Sequence, residues 1–249
     1  MLKKVLGVIP ARIGSTRFPG KPLVKIAGRE MILRTLDRAR ECQRLSDIWV
    51  ATDSEEIFDL IERDGGHAIM TDGACETGTD RIVDALKIEG YNSADCHTTF
   101  PWEAVVNIQG DEPLLPSANV DIAIDTFFQD NQADMATLVT PLPKADEWID
   151  RNIVKCVFDH KGYALFFSRH PIQQEANLCF RHIGVYIYRP ARLFEYVDLQ
   201  ERTLEKVEML EQVRALEARW KIKMIKIEQH DSPGIDTPEQ LKDVEARYF

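Results

Sequence analysis

Short apolar runs rich in β-branched residues recur at Val5 to Ile9, Ile48 to Val50, Ala68 to Met70 and Val105 to Ile108, with helical periodicity between them. Buried strands alternating with helices restrict the chain to an α/β fold on a largely parallel sheet, because parallel neighbours need long crossovers that helices supply. A helix is expected near Glu30 to Cys42, where Ile32, Leu36 and Ala39 share one face. Asp53 then reads as the cap of a second helix, with Glu56 completing a capping box. Residues 91–102, YNSADCHTTFPW, break all periodicity and read as a surface insertion. From Ile153 to Tyr188 the runs become strand-like around the turn Asp159-His160-Lys161-Gly162. That predicts antiparallel strands carried as a sub-domain, at about residues 150–200, on a single domain spanning residues 1–249. A long helix from Thr203 to Trp220, a strand from Ile222 to Ile227 and a helix capped by Thr237, with Pro238 first, complete the pattern.

With 249 residues, 44% of them hydrophobic, the chain can bury the core of one large α/β domain. Its 31 Lys and Arg against 41 Asp and Glu leave a formal charge of −10, which argues against nucleic acid or an anionic membrane as partner. Any anionic ligand must therefore be gripped locally. Five widely spaced cysteines without a CxxC pair argue against a disulfide framework and a structural zinc site, and fit the cytoplasm. The N-terminal apolar run is cut by Pro10 and Arg12, too early for a signal-peptide core or a membrane span.

Local grip on an anion is what residues 10–23, PARIGSTRFPGKPL, offer directly after the first strand, where open sheets bind ligands. Gly14 and Gly20 permit close backbone approach, Ser15 and Thr16 bring hydroxyls, and Arg12, Arg17 and Lys21 bring three cations. A polyphosphate accounts for all of them; a solvated basic turn is the blander alternative. Pro22 after Lys21 excludes a Walker loop, and no GxGxxG is present. Asp111 ends the strand segment NIQGDEP, where Gly110 leaves space beside it. Asp236 precedes the last helix, either as a turn residue or, since Thr237 fills the cap, as a second carboxylate. Two carboxylates converging on phosphates suit Mg²⁺. Arg81, in Gly78-Thr79-Asp80-Arg81, reads equally as a solvated arginine after a helix start capped by Thr. A lone strand histidine such as His182 is more often structural, and Glu208, Glu211 and Gln212 share a face of the expected long helix that could simply be solvated.

Arg12, Ser15, Arg17, Pro19 and Lys21, spaced R-x-x-S-x-R-x-P-x-K, resemble the signature of the sugar cytidylyltransferases, which include enzymes for KDO (3-deoxy-manno-octulosonate) and neuraminate. TGTDRI (77–82), VNIQGDEPLLP (106–116), RHIGVYIYRP (181–190), VEMLEQVRAL (207–216) and GIDTPEQL (234–241) resemble the KDO branch of that family and cover nearly the whole chain in order. The resemblance implies a three-layer Rossmann-like nucleotide-diphospho-sugar transferase fold, with a mostly parallel mixed sheet and a small antiparallel sub-domain. It implies transfer of CMP from CTP to the anomeric hydroxyl of KDO, an acidic eight-carbon sugar, for lipopolysaccharide synthesis, by a cytoplasmic homodimer joined through that sub-domain. Arg12, Ser15, Arg17 and Lys21 would hold the triphosphate, and Ala11, Arg81 and Gln109 would line the cytidine pocket. Arg169, His182, Glu211 and Gln212 would contact the sugar, and Asp111 and Asp236 would share Mg²⁺. Lys21, Arg12, Asp111 and Asp236 would be catalytic.

Two segments depart from the family pattern. Cys75-Glu76-Thr77 stands where His-x-Ser is usual, and HPIQQEANLCF after Arg169 lacks a Pro-aromatic-Arg loop. An amino-substituted KDO, its ammonium beside Glu76 and Glu175, is one alternative acceptor, and neuraminate is another. A glycosyltransferase would commonly carry Asp-x-Asp, which Asp111-Glu112-Pro113 does not supply; a non-catalytic nucleotide-binding protein would leave the paired aspartates without a purpose.

Overall fold

The computed structural model describes residues 3–14, 18–142, 145–172, 179–200, 203–228, 234–235 and 237–249. The chain forms two compact units, residues 1–121 with 231–249, and residues 122–230.

The first unit opens with β1 (Val5–Ala11), a small antiparallel pair β2 (Lys25–Ile26) and β3 (Arg29–Glu30), and α1 (Met31–Arg40). Then come β4 (Asp47–Thr52), α2 (Glu55–Arg63), β5 (His67–Met70), α3 (Gly78–Ile88) and β6 (Ala104–Ile108). Strand order is β6-β1-β4-β5, all parallel. The chain steps outward from β1 to β4 to β5 and then returns to the far side of β1, so β1 and β6 border a topological switch point. Both strands are buried almost throughout, which is why their sequences read as continuous apolar runs rather than alternating ones. On the helix expected near Glu30, Ile32, Leu36 and Ala39 are indeed buried, together with Met31 and Leu33.

Two local expectations are corrected in this unit. Ser54, not Asp53, caps α2, accepting from the Ile57 amide at 3.4 Å; it sits one residue closer to the first turn, which leaves Asp53 for other partners. Residues 91–102 are not merely a surface insertion. Trp102 is buried edge-on against Trp49 with ring centroids 5.1 Å apart, touches Tyr91 and Phe100, and donates its indole N–H to Asp47 at 2.6 Å. Aromatic packing of this kind follows no helix or strand period and so leaves no periodic trace.

The chain continues through α4 (Ser117–Gln129), β7 (Met135–Pro141), α5 (Ala145–Ile149), β8 (Lys155–Phe158), β9 (Ala164–Ser168) and β10 (Phe180–Tyr188). It ends with α6 (Pro190–Asp198), α7 (Thr203–Glu208), α8 (Gln212–Glu217), β11 (Ile222–Lys226) and α9 (Pro238–Tyr248). In the second unit β7 pairs in parallel with β11 and antiparallel with β10, and the β8–β9 hairpin extends from one end of β10. The expected turn closes that hairpin: Gly162 has φ 80°, and the Asp159 carboxylate accepts from the amides of Lys161 and Tyr163, each at 2.9 Å.

The long helix expected from Thr203 is broken. Met209 adopts φ 53° between α7 and α8, although local propensity favours continuity. The break turns Glu208 and Gln212 inward to tertiary partners and lets Arg214 pair with Glu205 at 2.7 Å. The final helix is capped as expected: Thr237 accepts from the Gln240 amide, Gln240 returns the bond, and Pro238 stands first. Val244 of α9 packs with Ile26, Met31 and Ile235 in the first unit's core.

Candidate active site

At the carboxyl ends of β1 and β6, Arg12 leaves the first strand and the following loop closes on a short 3-10 turn at Lys21–Leu23. Gly20 enters that turn at φ 69°, a conformation that disfavours side chains, and its amide donates to the Ile13 carbonyl at 3.3 Å. The turn aims the Lys21 ammonium at the Asp111 carboxylate, 2.6 Å away. Gly110 lets the backbone before Asp111 pass close to β1, since a Cβ there would lie 3.0 Å from the Pro10 carbonyl oxygen. Thr35 of α1 donates to the Gly110 carbonyl at 3.2 Å, and the Ile235 amide donates to the Asp111 carbonyl at 3.1 Å. Ser15, Thr16, Arg17 and Asp236 lie outside the described residues.

Arg81, on the first turns of α3, does not point to water; only 2% of its surface is exposed. Thr77, not Thr79, caps that helix in a box with Asp80. The guanidinium donates to the Thr71 hydroxyl at 2.6 Å and to Asp53 at 2.9 Å. The other Asp53 oxygen accepts the Ile13 amide at 3.3 Å, so one carboxylate ties the arginine to the loop that starts with Arg12. Sequence reasoning missed this role because Asp before a helix already has a common explanation. Gln109 donates to the Asn107 side chain at 3.3 Å, and Ala11 is buried at the end of β1. The Asn107 amide nitrogen and Thr79 hydroxyl are buried without a hydrogen-bond partner among the described residues. Arg12 reaches the backbone carbonyl of Glu76 at 3.5 Å, a contact that the unusual residue type there does not alter.

Asp111, with 29% of its side chain exposed beside a cation, is a hard-oxygen donor of the kind Mg²⁺ takes. No cluster of three or more metal-ligating side chains occurs among the described residues. The donor set fits an ion held by one or two carboxylates plus phosphate and water, not an all-protein cage.

In the second unit the structure gathers the residues expected to meet a sugar. His182 on β10 is buried, its Nε2 lies 2.9 Å from the Thr137 hydroxyl, and its ring packs on Phe167 and Tyr186. The Thr137 hydroxyl also faces the carbonyls of Ile183 and Val185, at 3.1 and 2.8 Å, which the β10 bulge leaves to it. Its one proton is needed there, so His182 must donate through Nε2–H and present Nδ1 as an acceptor. Burial, then the positive charge of Arg169, pushes the imidazole down to about 3, so it is neutral at neutral pH. The Tyr186 hydroxyl donates to Gln212 at 3.1 Å, and burial, with Glu211 among the nearby negative charges, holds that phenol well above its ordinary range. Arg169, His182, Glu211 and Gln212 thus surround Tyr186. That tyrosine was missed, although its place four residues after His182 on one strand was a visible signal.

Arg169 follows β9; its Nη1 donates to the Arg151 carbonyl at 3.3 Å, while its buried Nε has no hydrogen-bond partner among the described residues. The amide nitrogen of Gln212 is likewise buried without one.

The family described as cytidylyltransferase matches residues 6–224. The chain is 40% identical over 252 residues to a 3-deoxy-manno-octulosonate cytidylyltransferase of Protochlamydia amoebophila, covering 98% of this chain and 94% of that one. It is 42% identical to the protein so named in Thermodesulfovibrio yellowstonii, covering 94% of each. Among solved structures it resembles a CMP:2-keto-3-deoxy-manno-octonic acid synthetase complexed with CTP, at 34% identity and a TM-score of 0.87 over 98% of this chain and 97% of that one.

Proposed function

The chain belongs to the cytidylyltransferase family, among the 3-deoxy-manno-octulosonate cytidylyltransferases, and we propose that it transfers CMP from CTP to the anomeric hydroxyl of KDO, releasing pyrophosphate. The near full-length likeness to relatives named for that reaction carries the reading. These relatives, all named for KDO, do not favour a neuraminate enzyme or a glycosyltransferase.

The sugar's anomeric oxygen attacks the α-phosphorus in line, and the bond to the β-phosphate oxygen breaks. Lys21 and Arg12 offset the charge of the departing pyrophosphate, with Ser15 and Arg17 completing the triphosphate grip. Arg81, fixed by Asp53 and Thr71, lines the cytidine pocket with Gln109 and Ala11. Asp111 and Asp236 would hold Mg²⁺, which when bound would neutralise phosphate charge as a Lewis acid. Arg169 pairs with the sugar carboxylate, using an Nε donor that has no other partner among the described residues. His182 offers Nδ1, and Glu211 and Gln212 offer side-chain groups, to sugar hydroxyls.

A homodimer is supported by exposed apolar residues in the second unit, Ile149, Leu165, Leu204, Val207 and Met209, which pairing would cover. Five free thiols fit a reducing cytoplasm.

Pyrophosphate release by the purified protein with Mg²⁺, using each of the four nucleoside triphosphates against KDO, its amino-substituted analogue and neuraminate, tests the assignment. CTP with KDO is the active pair expected; release with no pair overturns the reading. Asp111→Asn lowers kcat by about 10²- to 10³-fold while the chain still folds, and wild-type turnover would remove Asp111 from the chemistry.

A further inference from the structure

Arg169 leaves β9 on a backbone gripped by buried charge from both sides. On the amide side, the Glu208 carboxylate accepts from Arg169 N at 3.0 Å and from the Ser168 hydroxyl at 2.9 Å. That hydroxyl in turn accepts the His170 amide at 2.9 Å. On the carbonyl side, the Lys155 ammonium donates to Arg169 O at 3.1 Å, to Ile153 O at 2.8 Å and to Asp150 O. Its three protons are all spent on backbone carbonyls. Two of those carbonyls flank Arg151, whose own carbonyl receives Nη1 of Arg169. One buried lysine therefore holds both the backbone that carries the guanidinium and the segment on which the guanidinium rests.

Neither charge is placed there cheaply. Lys155 has no exposed surface and Glu208 only 8%, and burial pulls the lysine's pKa below its ordinary value. Apolar residues of similar volume would cost less in a core, whereas charges spent on specific backbone groups select one loop conformation. The break at Met209 ends α7 directly after Glu208, as that carboxylate turns toward Ser168 and Arg169.

We propose that Lys155 and Glu208 are positioning residues for the acceptor sugar. They fix the backbone of Arg169 on its two sides and so preset the guanidinium, whose Nε has no partner among the described residues, for a sugar carboxylate. This rests on Arg169 being the carboxylate ligand.

Steady-state kinetics of the full-length chain with Glu208→Gln, Ser168→Ala and Lys155→Met, referenced to Arg169→Ala, test it. The KM for the sugar rises roughly ten-fold or more in the Glu208 and Lys155 variants while the KM for CTP is unchanged, since small misplacements are costly for an oriented group. In an Arg169→Ala background, Glu208→Gln adds less than about two-fold, because the two act through one side chain. A raised sugar KM in Arg169→Ala alone, or equal rises for both substrates in the Glu208 and Lys155 variants, overturns the positioning roles and leaves the Arg169 assignment standing. An unchanged sugar KM in Arg169→Ala overturns that assignment instead. Should Lys155→Met not fold, Glu208→Gln and Ser168→Ala decide the outcome, since both keep the side-chain volume close to native.

Discussion

Asp53→Asn tests whether one carboxylate joins Arg81 to the loop that starts with Arg12. Both Asp53 oxygens accept from donors, the Arg81 guanidinium at 2.9 Å and the Ile13 amide at 3.3 Å, and asparagine supplies a single oxygen. Its amide nitrogen must therefore face one of the two donors, and Arg81, 2% exposed, loses its ion-pair partner. Removing one partner of a buried pair costs about 3–5 kcal/mol. With 17% of the Asp53 side chain exposed and one contact surviving, the lower end, about 3 kcal/mol, applies. In a chain of this size each kcal/mol lowers the melting temperature by about 2–4 °C, so a fall of roughly 6–12 °C is expected. Loosening at Ile13, next to Arg12, raises the KM for CTP and leaves that for the sugar unchanged. Thermal unfolding followed by circular dichroism, paired with kinetics for each substrate, checks both. A melting temperature within about 2 °C of wild type would refute the structural link, because no buried arginine could then depend on Asp53. Arg81→Met combined with Asp53→Asn should melt higher than Asp53→Asn alone, since it removes the uncompensated charge.

Gly110→Ala puts a Cβ 3.0 Å from a backbone oxygen of β1, which cannot swing aside, so a loss of about 1–3 kcal/mol in stability accompanies a drop in kcat as Asp111 is displaced. Unchanged kcat in this variant would show that the close approach of the two strands is not needed. His182 is held near 3 in the folded chain against 6.5 unfolded, so the unfolded chain binds the extra proton in that window. The stability it contributes is present above 6.5 and lost as pH falls toward 3, at up to about 1.4 kcal/mol per pH unit. Urea denaturation at pH 7, 6 and 5 should show a shallower pH slope in His182→Gln than in wild type; equal slopes would contradict a neutral buried imidazole.

The side proposed for the nucleotide was legible wherever chemistry is local in sequence. Gly20 and Lys21 lie in one loop, Gly110 and Asp111 at one strand end, and the pairing of Lys21 with Asp111 follows from a parallel fold that brings neighbouring strand ends together. The side proposed for the acceptor was legible only in part. Arg169, His182, Glu211 and Gln212 were named through family likeness; Tyr186 was passed over although it stands in the same segment as His182, and Ser168 and Lys155, which hold Arg169, carry no local motif.

The alternation of strands and helices, the switch-point loop, the hairpin turn at Gly162 and the cap at Thr237 were determined by sequence alone, since each rests on backbone preferences and periodic burial within a few consecutive residues. Tertiary structure decided where charge is spent. Asp53 gave up a helix cap to serve Arg81, Glu208 left a solvated helix face to hold Arg169, and Lys155 buried an ammonium against three carbonyls. Local propensity could not foresee these choices, because a charge enters the interior only where distant segments together supply the partners that offset its lost hydration.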